Sequence, residues 1–433
     1  MKKYYIRDIA KNLNCLNSEI IIYGWIQQLR EFKTIYFGIL EDSTDCIRIA
    51  ISKELVSFSL KNEQSIKIEG VVTFDKRNNL QIEARRIELI GDISVNYSPR
   101  PRSMKSIFEY TKSNQIEYNK HIYIRNNIIR QMLIARAHVM DSIREWFKTE
   151  GYIEVTAPIL TPILLYDDST GIDVHIKEQD LFLTQCVGFY LESAVHSLER
   201  VYNIGPSFRK NESVSRRHLM EYWHVKSEVA FCNLSEMCSI VENMISYIVG
   251  SLDNDIGYKL ANDIGTDLNL DGINIPFIKV EYRDALKILE INGIHIDFGK
   301  NINEKGLTIL SQYYNGPFWL MHKPKTIEGF PYKISKEDNR LTQTADLIAS
   351  NGKGEILGVA EKITDTNELI NRIYEKNKNP EDYKWFIELR QYGSVPHCGM
   401  GMGVERLIRW IFSMPHVKDV IPFPRRINKR IYP

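Results

Sequence analysis

Residues 201–231, VYNIGPSFRKNESVSRRHLMEYWHVKSEVAF, read as a strand, a polar loop rich in arginine, and a second strand. Along the second strand, alternation puts Met220, Tyr222, His224, Lys226 and Glu228 on one face and Leu219, Glu221, Trp223 and Val225 on the other. One face therefore mixes an aromatic ring with charges of both signs. A hairpin with one solvated face accounts for this stretch taken alone.

Two further stretches give it company. In HCGMGMGVERLIRWIF, 397–412, glycines at 399, 401 and 403 precede a helix that starts near Glu405. Glycine permits close backbone approach, a helix N-terminus favours anions, and Arg406 falls in the first turn. The spacing is not that of a dinucleotide fingerprint. In TADLIASNGKGEILGVAEK, 344–362, a short SNGKG turn joins what read as adjacent strands carrying Asp346 and Glu355. Two carboxylates so placed suit magnesium, which takes oxygen ligands and shares them with phosphates.

Upstream, 19–90 breaks into five short alternating strands, EIIIYGWIQQLR, IYFGILED, CIRIAIS, SIKIEGVVTF and LQIEARRIELI, separated by turn clusters such as EDSTD and DKRNN. Five strands at this spacing suit a small oligonucleotide-binding barrel. Tyr36 and Phe37, with Arg30, Lys33 and Arg48 nearby, offer stacking faces and phosphate contacts. YSPRPRSMKS, 97–106, has two prolines and three basic residues and reads as a connector. The expected organisation is a barrel domain over 1–97, a linker over 98–120 and a larger domain over 121–433, with a helix near 127–149.

Composition bounds the rest. Hydrophobic residues at 43% and charged residues at 26% are the balance of a globular chain, and a net charge of +1 makes no global case for nucleic acid. Six cysteines include no CxxC pair, which fits a reducing, cytoplasmic setting. There is no secretory h-region and no stretch of about 18 apolar residues, so neither export nor membrane insertion is expected.

Together the three stretches resemble the signature elements of class II aminoacyl-tRNA synthetases, and FKTEGYIEVTAPILTP, 147–162, resembles the first motif, with Pro158 at its hallmark position. RQYGSVPHCGMGMGVERL followed by KDVIPFPR is similar to the asparaginyl branch. The resemblance implies an α+β architecture: a five-stranded anticodon-binding barrel followed by an antiparallel sheet flanked by helices. It also implies ATP, Mg2+, a tRNA acceptor, a small carboxylate substrate and a homodimer. Arg209 and Arg406 would be catalytic. ATP would be held by Arg209, Arg217, His218, Tyr222, Glu212 and Arg406, with Tyr222 stacked on adenine against Arg406. Asp346 and Glu355 would hold magnesium. The substrate would meet Gln185, Gly188, Glu192, Lys226, Glu228, Lys362 and Gly403.

The amino-acid half departs from the family. Where relatives carry glutamine for the substrate ammonium this chain has Gly188, and where they carry an acid it has Lys226. A lysine about 4 Å from an ammonium costs on the order of 4 kcal/mol at an effective dielectric of about 20. Lys362 aligns with the arginine that reads the side chain, although strict alternation from Glu355 turns it away unless the GVA segment bulges. Asn211 replaces the glutamate of the second motif, with Glu212 next to it, while Glu192, the acid that accepts a substrate amide, is kept. The expected function is an asparaginyl-type paralogue that adenylates an altered carboxylate and passes it to tRNA or a small amine. The alternatives are a genuine asparagine-tRNA ligase and a non-catalytic tRNA-binding protein.

Overall fold

A computed structural model describes residues 2–11, 15–94, 120–164, 168–210, 215–427 and 429–431. The chain divides into two compact units, Met1–Pro101 and Arg102–Pro433. The expected linker falls almost wholly outside the described residues.

In the first unit the five expected strands form: β1 (Glu19–Glu31), β2 (Ile35–Glu41), β3 (Cys46–Ser52), β4 (Ser65–Phe74) and β5 (Leu80–Gly91). Neighbours run β1-β2-β3-β5-β4, and β4 pairs back onto β1, so the barrel closes. Alternate residues fill it, among them Ile20, Ile22 and Ile26 of β1, Ile49 and Ile51 of β3, and Ile66 and Ile68 of β4. Neighbouring residues of a strand point to opposite sides, so only one of the two expected stacking residues faces out. Tyr36 packs on the barrel core, whereas Phe37 is exposed, edge-on to exposed Phe32 at 5.6 Å. Tyr23 and Trp25, which alternation from Ile22 already turns outward, are exposed as well.

The second unit is built on an eight-stranded sheet. In chain order its strands are β6 (Ile153–Glu154), then, after a separate three-stranded sheet of β7 (Leu160–Thr161), β8 (Ile172–Ile176) and β9 (Gln179–Leu183), β10 (Arg200–Phe208), β11 (Glu221–Ala230), β12 (Ile278–Glu281), β13 (Phe318–Met321), β14 (Thr344–Ala349), β15 (Gly354–Glu361) and β16 (His397–Gly403). The spatial order is β12-β13-β14-β15-β16-β11-β10-β6. The expected antiparallel sheet is its centre; the edge strands β12 and β6 pair in parallel.

Four helices matter for the site: α1 (Asn127–Thr149), α2 (Gly188–Leu198), α3 (Leu234–Gly250) and α4 (Val404–Ile411). The α1 helix begins where the Asn126 side chain accepts the Ile128 N–H, and α3 begins on a capping box between Asn233 and Glu236. Val139 and Ile143 of α1, Val241 and Ile245 of α3 and Leu407 and Ile411 of α4 share one core with Val225 and Val229 of β11 and Met400 and Met402 of β16. That core covers one face of the sheet and leaves the polar face of β11 free to line a cavity.

Phe147 stacks on Tyr202 of β10 with ring centroids 4.3 Å apart and planes 6° from parallel. Phe147→Ala is expected to destabilise this unit by about 3–5 kcal/mol through the cavity it leaves. Denaturant unfolding followed by tryptophan fluorescence checks this, because every tryptophan except Trp25 lies in the second unit.

Candidate active site

Strands β11, β14, β15 and β16 form one wall of a cavity of about 590 Å³. Tyr222, His224, Lys226 and Glu228 all reach it, as alternation along β11 requires. Asp346 and Glu355 come from the β14–β15 hairpin, where a register shift beside Leu347 pairs Ile348 with Glu355 and leaves Ile356 as an extra residue. The shift brings Glu355 onto the same face as Gly358, Ala360 and Lys362, all of which line the cavity. The bulge that turns Lys362 inward therefore lies at Ile356 and not in the GVA segment.

One end of the cavity is cationic. Arg209, Arg217, His218 and Arg406 converge there beside Tyr222. Arg406 Nη1 lies 3.1 Å from Glu355 Oε1 and also donates to the Glu355 carbonyl at 3.4 Å. The α4 helix that presents Arg406 is held by Glu405, which pairs with buried Arg136 of α1 at 2.7 Å and accepts the Trp223 N–H at 3.1 Å. The Arg217 guanidinium lies over Gly354, whose φ of +77° and lack of a Cβ make the room. Among the described residues its Nε and Nη1 are buried without a protein partner, an arrangement that calls for an anion. Burial, with help from Arg406 and Arg217, lowers His218 to about 4, so this imidazole is neutral at pH 7. The cation beside the Tyr222 ring is Arg209, its guanidinium 6.0 Å from the centroid. Glu212 and Asn211 lie outside the described residues.

Acids face these cations. Lys323 Nζ, just beyond β13, pairs with Glu328 at 2.5 Å and with Asp346 Oδ2 at 2.7 Å. Burial raises Asp346 above the usual carboxylate range against the pull of Lys323; burial would raise Glu355 too, but Arg406, Lys323 and Arg217 hold it low. Asp346 and Glu355 both line the cavity and offer only oxygen, a donor set that suits Mg2+. Each has one oxygen engaged by an internal cation and one left over. Among the described residues, no three histidine, cysteine or acidic side chains converge as a metal set.

The other end holds buried, balanced charge. Lys362 Nζ bridges Glu192 Oε1 and Glu228 Oε1 at 2.9 Å each, and Arg390 Nη2 donates to Glu192 Oε2 at 2.6 Å. His397 Nε2 lies 3.3 Å from the same oxygen, while its Nδ1, facing the Val395 carbonyl, must donate. Burial alone would raise Glu192, yet Lys362 and Arg390 keep it well below the usual range; burial and Glu192 raise Glu228. Two acids and two permanent cations sum to zero. Glu228 lines the cavity, and among the described residues its Oε2 is buried without a protein partner. Glu192 sits one turn into α2 from cavity-lining Gly188 and stands behind the wall, as does Gln185, whose amide donates to Thr170 Oγ1 at 2.8 Å. Lys323, Glu328 and Arg390 went unassigned in the sequence, where nothing in their local pattern marks them.

The glycines of β16 have a different use from the one their motif suggests. A Cβ at Gly399 would collide with the Glu228 carboxylate, and one at Gly401 with the Lys226 ammonium; each faces that residue across the β11–β16 pairing. Gly403 lines the cavity beside Arg406. The alternating glycines make room for side chains of the neighbouring strand.

Residues 113–427 match the family described as "tRNA synthetases class II (D, K and N)", and residues 20–90 match the "OB-fold nucleic acid binding domain". The whole chain is 30% identical to the asparagine-tRNA ligase of Thermococcus kodakarensis, covering 99% of that protein, and 31% identical to that of Pyrococcus abyssi, covering all of it. It resembles the crystal structure of asparaginyl-tRNA synthetase from Pyrococcus horikoshii complexed with asparaginyl-adenylate, with a TM-score of 0.93, 28% identity and coverage of 100% of this chain and 99% of that one. The Entamoeba histolytica asparaginyl-tRNA synthetase in complex with asparaginyl-adenylate matches with a TM-score of 0.88 and 25% identity, with full coverage of both chains.

The two glycines should respond differently to a methyl group. Glu228 is pinned by Lys362, so Gly399→Ala is expected to destabilise the protein by about 1–3 kcal/mol. A Cβ at Gly401 would meet the far end of the long Lys226 side chain rather than a carboxylate held by an ion pair, and Gly401→Ala should stay within about 1 kcal/mol. Thermal melts of the two variants check the contrast.

Proposed function

The chain belongs to the class II tRNA synthetases of the D, K and N type, ATP-dependent ligases that charge tRNA, and from that premise we propose that it is an asparagine-tRNA ligase. The observation that carries the choice is the balanced buried end of the cavity. Glu228 Oε2, without a partner among the described residues, would accept a hydrogen bond from a carboxamide nitrogen, and Lys362 would donate to a carboxamide oxygen. A third carboxylate in this neutral set would be buried without compensation, so an amide is preferred to an acid. The asparagine-tRNA ligases that align over the full chain support asparagine rather than the altered carboxylate expected from the sequence.

In this reading the substrate α-carboxylate attacks the α-phosphate of ATP and pyrophosphate leaves. Arg209 stabilises the negative charge that builds on the α-phosphate, and Arg217 and Arg406 hold the outer phosphates; these are fixed charges that need no reorganisation. Neutral His218 adds a hydrogen-bonding group without further charge. Tyr222 offers its ring to adenine. Magnesium, held by the remaining oxygens of Asp346 and Glu355, would supply neutralisation of the phosphates. A ribose hydroxyl of the terminal adenosine of tRNA then takes the acyl group as AMP leaves, with Tyr23, Trp25, Phe32 and Phe37 of the barrel offering stacking surfaces to the RNA. Exposed Ile153, Ile159 and Leu160 in the first-motif segment favour a homodimer across that face.

One observation favours a second reading. Lys226 lines the cavity between His224 and Glu228, where the α-substituent of a substrate spanning Tyr222 to Glu228 would lie. That position suits a carboxamide-bearing acid without an α-ammonium. ATP-pyrophosphate exchange with asparagine and with succinamic acid, which is asparagine lacking its amino group, tests both. Exchange is expected with asparagine and is expected to fall by about 10²-fold or more in Arg406→Ala. Exchange with succinamic acid alone would transfer the assignment to the second reading, and exchange with neither would remove both.

A further inference from the structure

We propose that Lys323 is a built-in cation of the nucleotide site: its ammonium takes one oxygen of Asp346 and keeps the acidic face from loading a divalent metal until the nucleotide arrives. The inference rests on the reading of Asp346 and Glu355 as the residues that face a nucleotide-bound metal. Three carboxylates, Glu328, Asp346 and Glu355, line one region of the cavity. They do not converge as a ligand set among the described residues, but their summed negative charge attracts a divalent cation.

Lys323 offsets that charge. Its Nζ stands between Glu328 Oε1 at 2.5 Å and Asp346 Oδ2 at 2.7 Å, and Arg406 occupies Glu355 Oε1 at 3.1 Å. The position is fixed from the backbone as well. His322 takes a φ of +52°, a left-handed conformation that costs a non-glycine residue free energy. Its N–H is anchored to the Thr344 carbonyl at 2.8 Å, and the Lys323 carbonyl accepts both the N–H and the hydroxyl of Thr342 at 2.9 and 2.8 Å. The chain thus turns sharply and is bonded on both sides of the residue whose ammonium enters the acid cluster.

A fixed unit charge a few ångströms away repels a divalent ion. Triphosphate oxygens add negative charge and ligands of their own, so a metal brought by ATP overcomes a repulsion that a free ion does not. The oxygens left over on Asp346 and Glu355 then serve the nucleotide-bound metal. Lys323 acts through Asp346 and is a positioning residue.

Manganese binding to the full chain without nucleotide, read by electron paramagnetic resonance, tests this. Wild type is expected to bind Mn2+ weakly. Lys323→Gln is expected to bind it at least tenfold more tightly, with the gain lost in Lys323→Gln/Asp346→Asn, and Lys323→Arg, which keeps a cation, is expected to match wild type. Unchanged or weaker binding by Lys323→Gln overturns the proposal, as does tight Mn2+ binding by wild type without nucleotide, whether or not the variant folds. Binding of an ATP analogue with a methylene bridge between its α and β phosphorus atoms separates the two levels: if wild type does not bind it, the nucleotide-site reading fails; if it binds and Lys323→Gln gains no affinity for Mn2+, only the role of Lys323 fails.

Discussion

One extra residue in β15, Ile356, decides which side chains of that strand face the cavity. With strict alternation Glu355 and Lys362 would point to opposite sides of the sheet, and the two ends of the site could not share one wall. The bulge restores both. Glu355 meets Arg406 at one end, and Lys362 reaches Glu192 and Glu228 at the other. Neighbouring strands then complete the wall: β14 contributes Asp346, β11 contributes Tyr222 through Glu228, and β16 stays bare enough at Gly399 and Gly401 for those side chains to lie across it.

The two ends differ in how their charge is settled. At the Lys362 end the buried acids are matched inside the protein: Glu192 with Lys362 and Arg390, Glu228 with Lys362. Such an arrangement contributes little net stability, since desolvation offsets the attraction, but it makes an uncompensated charge in the ligand expensive. At the phosphate end the balance is left open. Among the described residues Arg217 keeps two guanidinium nitrogens without a protein partner, an opening that suits a polyanion. On the proposed reading a neutral side chain at one end and phosphates at the other fit this asymmetry, with the carboxylate to be activated between them.

Much of this was legible in the sequence because half-buried strands alternate. The barrel strands and the inward face of β11 follow from that rule alone. The orientation of Lys362 did not, since a bulge adds a residue without any change in composition. The partners of Glu192 were hidden for another reason: Lys362, Arg390 and His397 lie 170, 198 and 205 residues away, and only the fold brings them together. The glycines of HCGMGMG were visible but read for the wrong neighbour. Glycine at every second position of a strand marks a face kept clear, and here it is kept clear for Glu228 and Lys226 rather than for a ligand's phosphates.

Lys226 is where family likeness and local chemistry pull apart. The relatives are asparagine-tRNA ligases, and in the proposed reading the asparagine ammonium would lie near this residue. Like charges at close range do not coexist without an adjustment, either a swing of the long lysine chain or loss of a proton. A swing is feasible because the ammonium lies over Gly401, where no side chain of β16 blocks it. The same clearance that lets Lys226 lie flat lets it move, so asparagine and an acid without an ammonium differ in where this one chain rests while the remainder of the wall stays as it is.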